Sequence, residues 1–184
     1  MDWRLRQLAH RIDQGALIAC STDSIWGFSC HPLRLSTVRR LLQLKQRPVS
    51  KGLILLGSDL EQFRPHLTTD TLERLQSRLM ENPDRPTTWV VPAVTDCPPW
   101  LSPDGRSIAI RVTEQEPVRE LTQVLDSPLI STSANRSGHP VARNRFVIER
   151  QFGAQLDAVI GSHDNIEQRP SRIIDLQSGR ILRP

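Results

Sequence analysis

Apolar residues recur along the chain in two rhythms, and their alternation predicts an α/β fold. Trp3, Leu5, Leu8 and Ile12 fall at helical spacing and predict a short amphipathic helix over 3–14, stopped by Gly15. The apolar run 16–20 predicts a strand that opens into Ser21-Thr22-Asp23-Ser24, and hydroxyls at a strand end commonly form a pocket wall. Over 35–44, Val38, Leu41, Leu42 and Leu44 take one side of a second helix while Arg39 and Arg40 take the other. The run 52–56 suits a buried strand; 59–63 and 69–80 read as helical, with Leu72, Leu75 and Leu79 spaced for one buried face.

The second half repeats the scheme. Pro83-Asp84-Arg85-Pro86 is too proline-rich for a helix and introduces a strand over 88–94. Strict alternation over 107–112 places Ile108, Ile110 and Val112 on one face, so Arg111 points away from the apolar side with Ser107 and Ala109. Helices are predicted over 116–125 and 145–152, a strand over 129–133, and a closing hairpin of 172–176 and 180–182 turned at Ser178-Gly179.

Two polar stretches carry the candidate chemistry. After Pro128, Leu129 and Ile130 come Ser131, Thr132, Ser133, Asn135, Arg136, Ser137 and Gly138, which read as a strand running into a binding loop. The same residue types also satisfy ordinary turns. The second stretch, Lys45-Gln46-Arg47-Pro48-Val49-Ser50-Lys51, sets its cations just after a helix and just before an apolar run. Lys45 there also complements the helix dipole and Pro48 also stops the helix. Taken together, cations and hydroxyls point to an anion such as a phosphate chain, with Lys45, Arg47 and Arg111 supplying charge.

Composition narrows the setting. The chain of 184 residues suits one domain over 1–184, with no boundary, repeat or low-complexity stretch. A net charge of +4 with 24 Lys and Arg fits an anionic ligand or partner and equally a solvated basic face. Cys20, Cys30 and Cys97 lack CxxC spacing, so no disulfide framework or zinc knuckle is indicated and a reduced cytoplasmic setting is expected. No signal-peptide core or membrane-length run is present, so no membrane association is expected.

Familiar motifs are absent: no phosphate loop, no dinucleotide turn, no nucleophile elbow. The five histidines form no His-x-x-x-His pair, so no metal held by protein ligands is expected. His139 lies near Ser133 in sequence, but nothing marks the two as a nucleophile and its base.

Several stretches in order resemble one family. Lys45-Gln46-Arg47-Pro48 with Lys51-Gly52-Leu53-Ile54, Ile108-Ala109-Ile110-Arg111-Val112, and 128–135 with Ser137-Gly138 are similar to the YrdC-type threonylcarbamoyl-AMP synthases, short TsaC form. Ser21-Thr22-Asp23 with Trp26-Gly27 resembles that family's first loop, and 171–176 with Ile181-Leu182-Arg183 its closing hairpin.

The resemblance implies a single α/β domain whose twisted, mostly parallel or mixed sheet, flanked by helices, curls around a deep basic groove. It implies synthesis of L-threonylcarbamoyl-adenylate from L-threonine, bicarbonate or CO2, and ATP, with release of pyrophosphate, for t6A modification of tRNA. It further implies that Lys45 and Arg47 hold the triphosphate as the catalytic pair, and that Thr88, Ser131, Ser133, Asn135 and Arg183 bind nucleotide. Thr22, Arg111 and Ser171 would cradle threonine and its carboxylate or the carbamate. Mg²⁺ is expected to arrive with ATP, held by phosphates and water. The transferase proteins of the t6A pathway are the expected downstream partners, with tRNA or another RNA as a further one. The extra C-terminal domain of longer members is expected to be missing.

The chain also departs from the family pattern. Asp84-Arg85-Pro86 stands where Pro-Gly-Pro is usual, Ser21 replaces a proline before Thr22, Trp26 takes a small-aromatic or Tyr position, and Phe28 and Ser29 stand where smaller residues are common, so a bulkier entrance that alters the amino-acid pocket is expected. The alternative function is a non-catalytic RNA-binding module using the same basic groove for tRNA or structured, double-stranded RNA.

Overall fold

Period-two alternation decides which side chains meet across the sheet. In the computed structural model, which describes residues 3–81, 85–161 and 169–184, nine strands form one sheet. They are β1 (Ile18–Cys20), β2 (Gly27–Cys30), β3 (Ile54–Gly57), β4 (Thr87–Pro92), β5 (Ser107–Val112), β6 (Leu129–Ser133), β7 (Ala158–Ile160), β8 (Arg172–Asp175) and β9 (Ile181–Arg183). Their order is β7-β1-β2-β6-β3-β5-β4-β8-β9.

The sheet is mixed, as one of the two expected descriptions has it, and its balance is antiparallel rather than mostly parallel. Pairs β1/β7, β3/β5 and β4/β8 are parallel, and the other five are antiparallel. The reason lies in the connections: β1 to β2, β4 to β5 and β8 to β9 are joined without the α-helical crossover that parallel neighbours ordinarily use.

Five α-helices flank the sheet: α1 (Trp3–Asp13), α2 (Leu35–Lys45), α3 (Thr69–Met80), α4 (Val118–Leu125) and α5 (Arg145–Phe152). The helix expected over 59–63 is a 3-10 segment, Leu60–His66, with Pro65 inside it. The helix expected from 116 starts at Val118, because Pro117 takes the N-cap position. Strands β2 and β7 were not foreseen. None of the described helices is long and apolar enough to cross a membrane.

One face of the sheet holds the larger core. Ala19, Phe28, Cys30, Leu55, Ile108, Ile110 and Ile130 project there and meet Val38 and Leu41 of α2, Leu75 of α3, and Ile148 and Phe152 of α5. Phe28 and Phe152 stack edge to face with ring centroids 5.0 Å apart. Burying side chains of this size contributes about 1.5–3 kcal/mol each, so this face anchors the sheet.

The opposite face is divided. Leu8 and Ile12 of α1 and Val118 and Leu121 of α4 cover Ile18, Cys20, Leu56 and Leu129. The register carries this same face across β2, β6, β3 and β5, with Ser29 opposite Ser131 and Leu56 opposite Arg111. Beyond the two helices the face turns polar, and the candidate site lies there.

Candidate active site

A cleft of about 310 Å³ opens on this polar half. Its walls draw on segments far apart in the chain, among them Thr22 and Ser24 after β1, Arg47 after α2, Arg111 on β5, Ser131, Ser133 and Asn135 at the end of β6, Ser171 before β8, and Arg183 on β9. Eight of the ten residues singled out from the sequence thus meet at one cavity. Lys45 and Thr88 stand behind its wall.

Arg111 reaches the cleft because β5 alternates and the residue falls on the polar side. It is 5% exposed. Its Nη1 donates to Ser24 Oγ at 3.0 Å, and its Nη2 lies 3.2 Å from Asp23 Oδ1. That pairing is ionic rather than an aligned hydrogen bond, since neither Asp23 Oδ1 nor the buried Arg111 Nε has a hydrogen-bond partner. Burial lowers the Arg111 pKa, opposed by the charge of Asp23.

The other two cleft arginines are held by neutral groups. Arg47 Nη2 donates to the carbonyls of Lys51 and Gly52 at 3.0 and 2.8 Å, leaving its buried Nε without a partner. Arg183 grips the Ser171 carbonyl through Nε and Nη2 at 3.0 and 2.6 Å, and Nη2 also reaches Ser171 Oγ at 3.3 Å. Burial pushes both guanidinium pKa values down, and Arg183 is further lowered by the charges of Arg111 and Arg85. Among the described residues neither is ion-paired. The cleft therefore has one neutralised cation and two uncompensated ones.

Lys45 closes α2 and turns its side chain under the hydroxyl loop, where it is 1% exposed. Its Nζ donates to the Ser133 carbonyl, to the Asn135 carbonyl at 2.9 Å and to Asn135 Oδ1 at 3.2 Å. It also lies over the Phe28 ring, 5.6 Å from the centroid. Burial, followed by the nearby charge of Arg47, lowers its pKa to about 7. The backbone carbonyl of Lys45 takes the Ser137 amide at 2.8 Å, so both ends of the residue fasten the loop.

The hydroxyls do local work as well. Thr22 Oγ1 donates to the Ile25 carbonyl at 2.7 Å and accepts from the amides of Ser24 and Ile25, which folds the 22–25 turn that presents Ser24. Thr88, fully buried on β4, pairs with Ser171 across 2.8 Å and so supports a cleft residue rather than lining the cleft. Ser133 donates to Asn135 Oδ1 at 2.6 Å.

Within the rim, Arg85 donates to the Pro170 carbonyl at 3.4 Å, and Asp84, the other departure noted in the sequence, lies outside the described residues.

The profile of the family described as Telomere recombination, which groups Sua5, YciO and YrdC, matches residues 10–184. The chain belongs to the Sua5/YciO/YrdC family. A similar member is the threonylcarbamoyl-AMP synthase of Stutzerimonas stutzeri (strain A1501), 43% identical over 183 residues, covering 100% of this chain and 98% of that protein. The crystal structure of P. abyssi Sua5 complexed with L-threonine superposes with a TM-score of 0.84 at 25% identity, covering 99% of this chain. This chain spans 54% of that longer one. E. coli YciO shares the fold with a TM-score of 0.83 at 20% identity, covering 98% of this chain and 88% of its own.

Sequence reasoning missed several parts of this Sua5/YciO/YrdC site. Ser24, the direct partner of Arg111, was visible only as one more hydroxyl in a run. Gly27 lines the cleft because a Cβ there would stand 3.3 Å from Ser131 Oγ and from the Thr132 carbonyl, a cross-strand proximity set by the β2/β6 register. The Asp23 pairing with Arg111 spans 88 positions, and no local pattern announces it.

Proposed function

We propose that this protein synthesises L-threonylcarbamoyl-adenylate from L-threonine, bicarbonate or CO2, and ATP, releasing pyrophosphate. The observation that carries the reading is the contrast among the cleft's cations: Arg111 is neutralised by Asp23, whereas Arg47 and Arg183 have no counter-charge among the described residues. A neutralised guanidinium suits a single carboxylate, and uncompensated ones suit a phosphate chain. The relatives named threonylcarbamoyl-AMP synthase and the threonine complex of Sua5 support the same substrates.

The chemistry needs no protein nucleophile. The threonine amine captures CO2 as a carbamate, whose oxygen attacks the α-phosphorus as the bond to pyrophosphate breaks. This chain's part is to orient and to neutralise. Arg111 and Ser24 hold the amino-acid carboxylate; Ser131, Ser133 and Asn135 line the nucleotide's place; Arg47 and Arg183 receive the departing charge. Thr22 and Ser171 shape the threonine end, while Lys45 and Thr88 hold cleft residues in place from behind.

Mg²⁺ would arrive with ATP, held by phosphates and water. When bound, that ion neutralises phosphate charge. The product is passed to the transferases of the t6A pathway and through them to tRNA, in the cytoplasm.

The test is pyrophosphate release from ATP with L-threonine and bicarbonate present and with each omitted in turn. Release dependent on all three is expected. Release that ignores threonine, or none at all, removes the proposal.

A further inference from the structure

Arg111 poses a problem that its neighbours only partly solve. A guanidinium 5% exposed, with Nε buried and unpartnered, keeps a fixed aim only if something outside the cleft holds it. Ser24 Oγ takes Nη1, but this hydroxyl rotates and carries no charge. The charge opposite Nη2 is Asp23, and Asp23 is itself restrained: Thr113 Oγ1 donates to its Oδ2 at 3.1 Å. Thr113 is in turn fixed, its amide donating to the Gly57 carbonyl at 2.9 Å and its hydroxyl accepting from the Gln115 amide at 3.2 Å. Asp23 does not itself line the cleft.

We propose that Asp23, held by Thr113, is a positioning residue that aims Arg111 and cancels its charge, so that the threonine end of the cleft accepts a carboxylate and rejects phosphate. The inference rests on the threonine and ATP reading of the cleft. A carboxylate beside the guanidinium weakens the pull of this group on a multiply charged anion, whereas a single carboxylate still gains directional N–H donors. Phosphates are left to Arg47 and Arg183, which carry no counter-charge among the described residues.

Asp23→Asn keeps the shape and removes the charge. Its expected signature has two parts: the KM for threonine rises about tenfold or more while that for ATP changes less than about twofold, and pyrophosphate becomes an inhibitor competitive with threonine. Thr113→Val leaves the charge and loosens its anchor, so it raises the threonine KM by a smaller factor without the new inhibition; it decides the matter if Asp23→Asn does not fold. An unchanged threonine KM in the folded variants, or parallel rises for both substrates, overturns the role of Asp23. If the unaltered protein releases no pyrophosphate with all substrates present, the functional reading fails first and the inference falls with it.

Discussion

Arg111 and Lys45 are both buried cations at the same cleft, and they are stabilised in opposite ways. Arg111 faces a carboxylate 3.2 Å away and is neutralised in place. Lys45 faces two backbone carbonyls and a carboxamide, which align its donors and bring no counter-charge. A buried charge requires either a counter-charge or a full set of hydrogen bonds. The choice between them decides what each region does: an ion pair makes a site of low net charge, whereas a dipole cage makes a positive floor beneath the hydroxyl loop.

The contrast is broken most severely by Lys45→Met. Removing the ammonium leaves its carbonyl and carboxamide acceptors without their donor, at about 1–3 kcal/mol for each buried acceptor left unsatisfied. A fall in thermal midpoint of roughly 5–10 °C is expected for a chain of this size, together with loss of measurable ATP binding. Calorimetric scanning and titration check both, and a variant as stable as the parent would mean that the loop holds itself.

Arg47→Ala and Arg183→Ala test the uncompensated end. Each removes charge-assisted hydrogen bonds of about 1.5–3 kcal/mol, so ATP affinity should fall by roughly 10–100-fold while threonine affinity moves less than about twofold. Equal losses for both ligands would erase the division of labour among the three arginines.

The smallest effect is the most diagnostic. Lys45 in the folded protein titrates near 7, below its ordinary 10.5. Between those values the unfolded chain binds more protons, so the Lys45 contribution to stability grows as pH rises from about 7 towards 10.5. Binding of a polyanion runs the other way, because the ammonium that favours it is lost above about 7. Calorimetry with ATP across this range should show affinity falling severalfold while stability does not fall with it. Lys45→Arg, charged throughout, should flatten the affinity profile; an unflattened one would assign the titration to another group.

Much of this was legible in the sequence, for identifiable reasons. Helices α1, α2 and α3 advertise themselves through leucines at helical spacing, and the alternation around Arg111 put that residue off the apolar face. Strand β2 escaped because Gly27, Phe28, Ser29 and Cys30 are all buried, so no alternation of polarity marks it. Strand β7 escaped because it is only three residues long. At the site, the sequence can name a cation but not its partner: the carbonyls of Ser133 and Asn135 that hold Lys45 belong to backbone and leave no trace in residue type. The cage around Lys45 was therefore not visible in the sequence.

The segments that wall the cleft run from Thr22 to Arg183, and the last of them, β8 and β9, join the sheet only by docking against β4. A piece of the chain that lacks either end lacks part of the pocket's lining. Catalytic competence should therefore return late during refolding, after the overall tryptophan fluorescence has settled, which makes turnover a sensitive gauge of whether the final hairpin has seated.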